Sequence, residues 1–380
     1  MSNYTFKNTA TVLVIIGIVV GGLLYFTSNT APANPAKIGV LIPLTGKFAN
    51  LGEDVRNGLE LAKGDIKNRT GLDLELVYED SAADPKVSVM AATKLVNLDK
   101  VDVIIAGPGS SANLAALPVL EKAPNGQPVF IVISSTPKLN TAGRYVVKAQ
   151  HDIDLEALAA AKYLFAQGFR SASVMYDSTS DTLSTGRDVF SKQFRELGGA
   201  VVAIEGYDGK GVMDFKTQLT KLKASRPDVL YFLAVDKIAG PLVKQTRSIG
   251  LSQPIFGFAA LESEEFLKGA GDAAEGVSFT ALPFSCGGNS EMKKYCELYS
   301  TNYNNRIPIS YGAYGYDILS IVGEVVEKTG DLDREKIVEA FEGREYQGVS
   351  GVLVFDNNGN IQIPDFPIRT VENGKFVDLK

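Results

Sequence analysis

Residues 36–68, AKIGVLIPLTGKFANLGEDVRNGLELAKGDIKN, contain one complete strand–loop–helix unit. The run 38–44 is too short and too uniformly apolar for an amphipathic helix, so it reads as a buried strand. The loop 45–51 then feeds a helix whose apolar face is Val55, Leu59, Ala62 and Ile66, at helical spacing. In open α/β sheets, ligands collect in the crevice beyond the carboxyl ends of such strands. The unit therefore predicts an α/β domain that handles a ligand.

The same pattern continues outward from this unit. Strand-like runs at 72–78, 101–106, 129–133, 172–176, 201–204, 229–234, 255–258 and 277–280 alternate with helical periods near 86–98, 113–122, 154–167, 184–197, 214–225, 238–249, 291–304 and 313–328. Alternation of this length means parallel sheets with helices on both faces. At 380 residues the chain exceeds what one hydrophobic core usually supports, so two lobes are expected. The first βα run ends around 145–152 and a second spans about 153–282. The segment 282–309 brings glycines, cysteines and polar residues before a long helix. The tail 352–380 differs again: Asn358-Gly359 and Asn373-Gly374 mark turns between short strands.

Bulk composition removes several classes of function. A net charge of −6, mixed along the sequence, argues against nucleic acid, which calls for a basic patch. Two cysteines and one distant histidine do not make a zinc site.

The N-terminus carries targeting information. Residues 10–26 form an apolar run without charge, preceded by Lys7 and followed by the uncharged, proline-containing stretch 27–36. Positive charge on the N-terminal side holds that end in the cytoplasm, so the remainder is exported. Seventeen residues lies at the short limit for spanning a bilayer and above a typical signal-peptide core. Ala31-Pro32-Ala33 is the small-x-small cleavage candidate, and its proline together with Pro35 favours an uncleaved anchor over a cleaved signal peptide. Both alternatives place the working part outside the cytoplasm, in the periplasm or at the cell surface. There, Cys286 and Cys296 in CGGNSEMKKYC read as one local disulfide, with two unpaired thiols as the alternative.

Two loops suit an anion. The strand 101–106 runs into Gly107-Pro108-Gly109-Ser110-Ser111-Ala112-Asn113 and then a helix, and the next strand ends in Ser134-Ser135-Thr136-Pro137. Small residues and hydroxyls at a helix N-terminus present backbone N–H groups and side-chain donors to a carboxylate or phosphate. Proline suits the first helical position, which makes Thr136 an N-cap. The alternative is that these hydroxyls only cap helices, a reading weakened by finding two such loops after adjacent strands. Gly107-x-Gly109-x-x-Ala112 fits a loose dinucleotide fingerprint, but Ser134 and Ser135 stand where the ribose-binding acid belongs. His151, the sole histidine, lies beside Asp152 at the lobe boundary with no nucleophile elbow, and reads as a hinge or surface residue. No cofactor, metal or catalytic set emerges. Tyr311, Tyr314 and Tyr316 could wall a small-molecule cleft or simply pack.

With these loops located, the chain resembles the solute-binding proteins of branched-chain amino-acid-type ABC transporters, leucine-binding-protein-like members of the type I periplasmic-binding-protein fold with amide- and urea-binding relatives. The resemblance covers residues 36–360. It rests on the opening segment, on EDSAADPKVSVMAATKLVN, on GDAAEGVSFTALP, and on YGAYGYDILSIVGEVVEKTGDLDREKIVEAF followed by GVSGVLVFDNNGN. It implies two Rossmann-like lobes joined by three crossovers and closing on a solute like a flytrap: 1–35 as signal or anchor, 36–151 plus 284–355 as lobe one, and 152–283 plus 356–380 as lobe two. It also implies a monomeric, non-enzymatic receptor that captures an amino acid or related carboxylate or amide and delivers it to an ABC permease. The alternative is a sensor that signals to a membrane partner.

By the same resemblance, ligand contacts fall on Ser110, Ser111, Ser134, Ser135 and Thr136, with Leu51 as a side wall and Tyr311 as an aromatic wall. Amino-acid binders also place a lobe-two acid on the ligand ammonium, where this chain has Ala259-Ala260. Asp236 or Glu262 would have to replace it, or the ligand is not an α-amino acid.

Overall fold

Strand β1 (Ala36–Ile42) has Ile38, Val40, Leu41 and Ile42 fully buried, which requires cover on both faces of its sheet. Each such side chain contributes roughly 1.5–3 kcal/mol of gross stabilisation. The structure, a computed structural model, describes residues 36–209, 213–363 and 365–379. The expected anchor 10–26 and the cleavage candidate 31–33 lie outside the described residues. Among the described residues, no helix is long and apolar enough to cross a membrane.

β1 begins a five-stranded parallel sheet with β2 (Leu74–Asp80), β3 (Val103–Ala106), β4 (Val129–Val132) and β5 (Val146–Lys148), in the order β2-β1-β3-β4-β5. A second sheet contains β6 (Ser171–Asp177), β7 (Ala200–Tyr207), β8 (Val229–Leu233), β9 (Ile255–Gly257) and β10 (Ser278–Thr280), again with the first strand inside the second: β7-β6-β8-β9-β10. A small antiparallel sheet, β11 (Glu345–Gly348), β12 (Gly351–Phe355) and β13 (Ile361–Gln362), sits on the first core. The chain then completes the second sheet with the antiparallel strands β14 (Ile368–Glu372) and β15 (Lys375–Asp378). Both lobes thus change winding direction at one point, between β1 and β3 and between β6 and β8. Ligands bind at such points in doubly wound sheets.

The lobe boundary near 356 needs correction. Ile361 and Ile363 pack into the first core, so the third crossover falls after Ile363. The turn at Asp356-Asn357-Asn358-Gly359 links two strands of the small sheet and does not mark a change of lobe.

The first lobe is held by helix Ala49–Thr70 against helix Ser310–Thr329, through Val55, Leu59, Ala62 and Ile66 on one side and Ile318, Leu319 and Val322 on the other. A Cβ on Gly58 would lie 1.9 Å from the Gly312 carbonyl oxygen, so the two backbones touch and any larger residue there would force them apart. Cys286 and Cys296 are bonded, with Cα atoms 5.7 Å apart, pinning the second crossover to helix Ser290–Asn302.

Candidate functional site

The lobe-one side is built from the carboxyl ends of β3 and β4. After β3 the chain turns at Gly107-Pro108-Gly109, and Asn113 Nδ2 closes the turn on the Gly107 carbonyl at 3.0 Å. Helix Ser110–Glu121 follows with no side-chain cap, leaving its first N–H groups without intrahelical acceptors. Ser134, buried at the end of β4, donates its hydroxyl to Ser110 Oγ at 3.0 Å. Two separate strands thereby bring two hydroxyls together at a helix N-terminus, where the helix dipole favours an anion.

The other predicted lobe-one residues have distinct placements. Ser111 is exposed on the first helical turn and Ser135 is half-buried, its carbonyl accepting from the Ile153 N–H. Thr136 caps the short turn Pro137–Leu139, its hydroxyl accepting from the Lys138 N–H. Leu51 is buried in the first turn of Ala49–Thr70 and lines an inter-lobe cavity of about 310 Å3. Tyr311 is buried, and its hydroxyl accepts from Gln150 Nε2 at 3.2 Å beside the first crossover. The serines do not line that cavity, which runs along the rim of the cleft between Asp54, Arg306 and Glu265. Burial raises the Asp54 carboxyl to about 7, although the Tyr299 hydroxyl and the Gly312 N–H donate to it.

The lobe-two side is charged, and among the described residues Glu262, Glu156, Asp177 and Asp181 are each engaged. Glu262 is engaged within lobe two: both its oxygens accept from Arg369 Nη1, at 2.5 and 2.7 Å, while Arg369 Nη2 holds the Phe284 carbonyl. This carboxylate ties the β9 loop to β14 and the second crossover, so it does not serve as an ammonium partner. Asp236 opens helix Asp236–Ser248, and its side chain lies outside the described residues. Glu156, which nothing in the sequence singled out, is a buried carboxylate accepting from the Ala259 N–H and the Thr280 hydroxyl, each at 2.6 Å. His151 Nε2 lies 3.0 Å from its other oxygen, and the imidazole meets the Phe366 ring edge-on, so the histidine is a buried hinge residue and not a surface one.

The lobes meet across the cleft. Lys47 Nζ, from the loop after β1, lies 3.3 Å from Asp177 Oδ2 at the end of β6. Asp177 is wholly buried and also accepts from the Thr179 N–H, the Thr179 hydroxyl and the Gly209 N–H. A Cβ on Gly209 would stand 1.9 Å from that carboxylate, so this contact requires glycine. Lys138 bonds Asp181 at 2.9 Å, and the Phe48 ring packs against the cores of both lobes.

A family model described as periplasmic binding protein matches residues 35–375. The chain belongs to the periplasmic binding protein family. The family places its working lobes outside the cytoplasm. A leucine-, isoleucine-, valine-, threonine- and alanine-binding protein of Pseudomonas aeruginosa is 26% identical over 90% of this chain and 91% of its own length. Among solved structures, a leucine-binding protein from Thermotoga maritima superposes with a TM-score of 0.83 at 26% identity, covering 91% of this chain and 98% of that one. A solute-binding protein of an ABC transporter from R. palustris, in complex with benzoate, reaches the same TM-score at 21% identity, covering 91% and 96%. These relatives are solute-binding proteins, not enzymes. Periplasmic binding proteins of this type share the α/β fold with parallel sheets described above.

Proposed function

We propose that this periplasmic binding protein is the receptor of an importer, tethered to the cytoplasmic membrane by residues 10–26, acting as a monomer and passing a small carboxylate-bearing solute to an ABC permease. The observation that carries this reading is the Ser110–Ser134 hydroxyl pair at the uncapped start of helix Ser110–Glu121, beside the winding reversal of the first sheet. The solute carboxylate docks there first. Closure about the three crossovers then adds contacts that exist only when the lobes meet, so ligand and closure stabilise each other. The ligands of these relatives run from amino acids to benzoate, so fold membership leaves the choice of solute to the residues of the cleft.

The test is a thermal-shift screen of the full chain in mild detergent against amino acids, amides, carboxylates and nucleosides. A ligand at about 100 times its dissociation constant should add roughly 2.7 kcal/mol. Failure of every small solute to raise the melting temperature would defeat the receptor reading.

A further inference from the structure

An ammonium enclosed between two protein lobes needs a carboxylate, because leaving the charge unpaired in a poorly hydrated cleft costs several kcal/mol. The acids that lobe two directs toward lobe one are therefore decisive for ligand class, and among the described side chains, which exclude that of Asp236, they are engaged as follows. Asp177, at the winding reversal of the second sheet, is fully buried and saturated by Lys47, Thr179 and Gly209. Asp181 is paired with Lys138. Glu262 is held at both oxygens by Arg369, and Glu156 by Ala259, Thr280 and His151. Glu265 lies in the rim cavity, which Lys268 and Arg306 also line.

The position of the Lys47–Asp177 pair matters most. Lys47 follows β1 and Asp177 ends β6, so the pair joins the winding reversal of one sheet to that of the other. It also draws a cation to the point where a solute would sit. Lys47 keeps a third of its side-chain surface exposed and lies 5.2 Å from the centroid of the Phe48 ring, so its ammonium stays at the cleft surface. A ligand ammonium placed there would meet a like charge and find the carboxylate already taken.

We infer that Lys47 supplies the ammonium of this cleft, and that the solute is a carboxylate without an α-amino group, such as a 2-oxo, 2-hydroxy or unsubstituted acid with an apolar tail. This rests on the receptor reading above and names its ligand class. The carboxylate takes the Ser110 and Ser134 hydroxyls. The Lys47–Asp177 bridge, formed as the lobes meet, does what a ligand ammonium would otherwise do in drawing lobe two down. Phe48 and Ala259, both half-buried against the first core, supply apolar surface for the tail.

Matched pairs test this on the full chain. Leucine is compared with 4-methyl-2-oxopentanoate and 4-methylpentanoate, and phenylalanine with phenylpyruvate and 3-phenylpropanoate, by thermal shift and then by calorimetric titration. The expected result is that acids without the amine bind at least tenfold more tightly than their amino partners. Amino acids binding as well or better would overturn the inference while leaving the receptor reading intact, and loss of that binding in Asp236→Asn would identify the acid responsible. If no member of either class binds, this inference falls, and the wider solute screen alone decides the receptor reading. Lys47→Met should weaken the carboxylate that binds by at least tenfold. Unchanged affinity in that variant would overturn the role given to Lys47, and Asp177→Asn, expected to match Lys47→Met, provides a second reading of the same bridge.

Discussion

The two sides of the cleft are built in opposite ways. Lobe one offers hydroxyls and backbone N–H groups from loops that each follow their own strand, and the residues that matter are near neighbours: Gly107, Ser110 and Asn113 in one loop, Ser134 and Thr136 in the other. Lobe two offers carboxylates, and each has at least one partner from far along the chain: Glu262 with Arg369, Glu156 with Ala259 and Thr280, Asp177 with Lys47. A neutral donor set can wait for an anion at little cost. A buried carboxylate cannot wait unpaired, so lobe two spends its acids on structure and closure.

The largest effect that could break this contrast is on lobe two. Arg369→Met would leave the half-buried Glu262 without its guanidinium; removing one partner of a fully buried pair costs about 3–5 kcal/mol, and this one should cost somewhat less. A fall in melting temperature of many degrees is expected. A variant as stable as the parent would show that Glu262 is free, and would return it to the list of ligand acids.

A smaller effect separates the rim cavity from both sides. Asp54 is held at about 7 by burial, above its ordinary 3.8, so the folded protein keeps a proton that the unfolded chain releases. Its stabilising contribution is complete below about pH 4 and is lost as pH rises through 7. Asp317, raised to about 6 by burial, acts in the same direction at slightly lower pH. Melting temperature measured from pH 4 to 8 should decline, and Asp54→Asn should flatten the upper part of that decline. An equally steep profile in the variant would contradict the placement of Asp54.

The same contrast explains what the sequence made legible. Contiguous apolar runs and helical periods located the strands and most helices, because burial on both faces writes itself into runs such as 103–106 and 129–132. Ser110 and Ser134 were legible for the same reason, since each lies at the end of such a run. The helices Glu264–Ala270 and Arg334–Phe341 lack enough periodic residues to be read alone. Glu262 was misplaced because its partner lies 107 residues away, and local spacing carries no trace of that pairing. Lys47 stood in the opening segment throughout, but a lysine in a polar loop signals solvent until Asp177, 130 residues on, is brought to it.

The account turns on the two hydroxyls of lobe one, and calorimetric titration of the best-binding carboxylate into Ser110→Ala/Ser134→Ala tests it most directly. A hydrogen bond to a charged group is worth about 1.5–3 kcal/mol, so losing both should weaken binding by roughly a hundredfold or more. The melting temperature without ligand should change little. A double variant that binds the carboxylate as tightly as the parent would contradict the account.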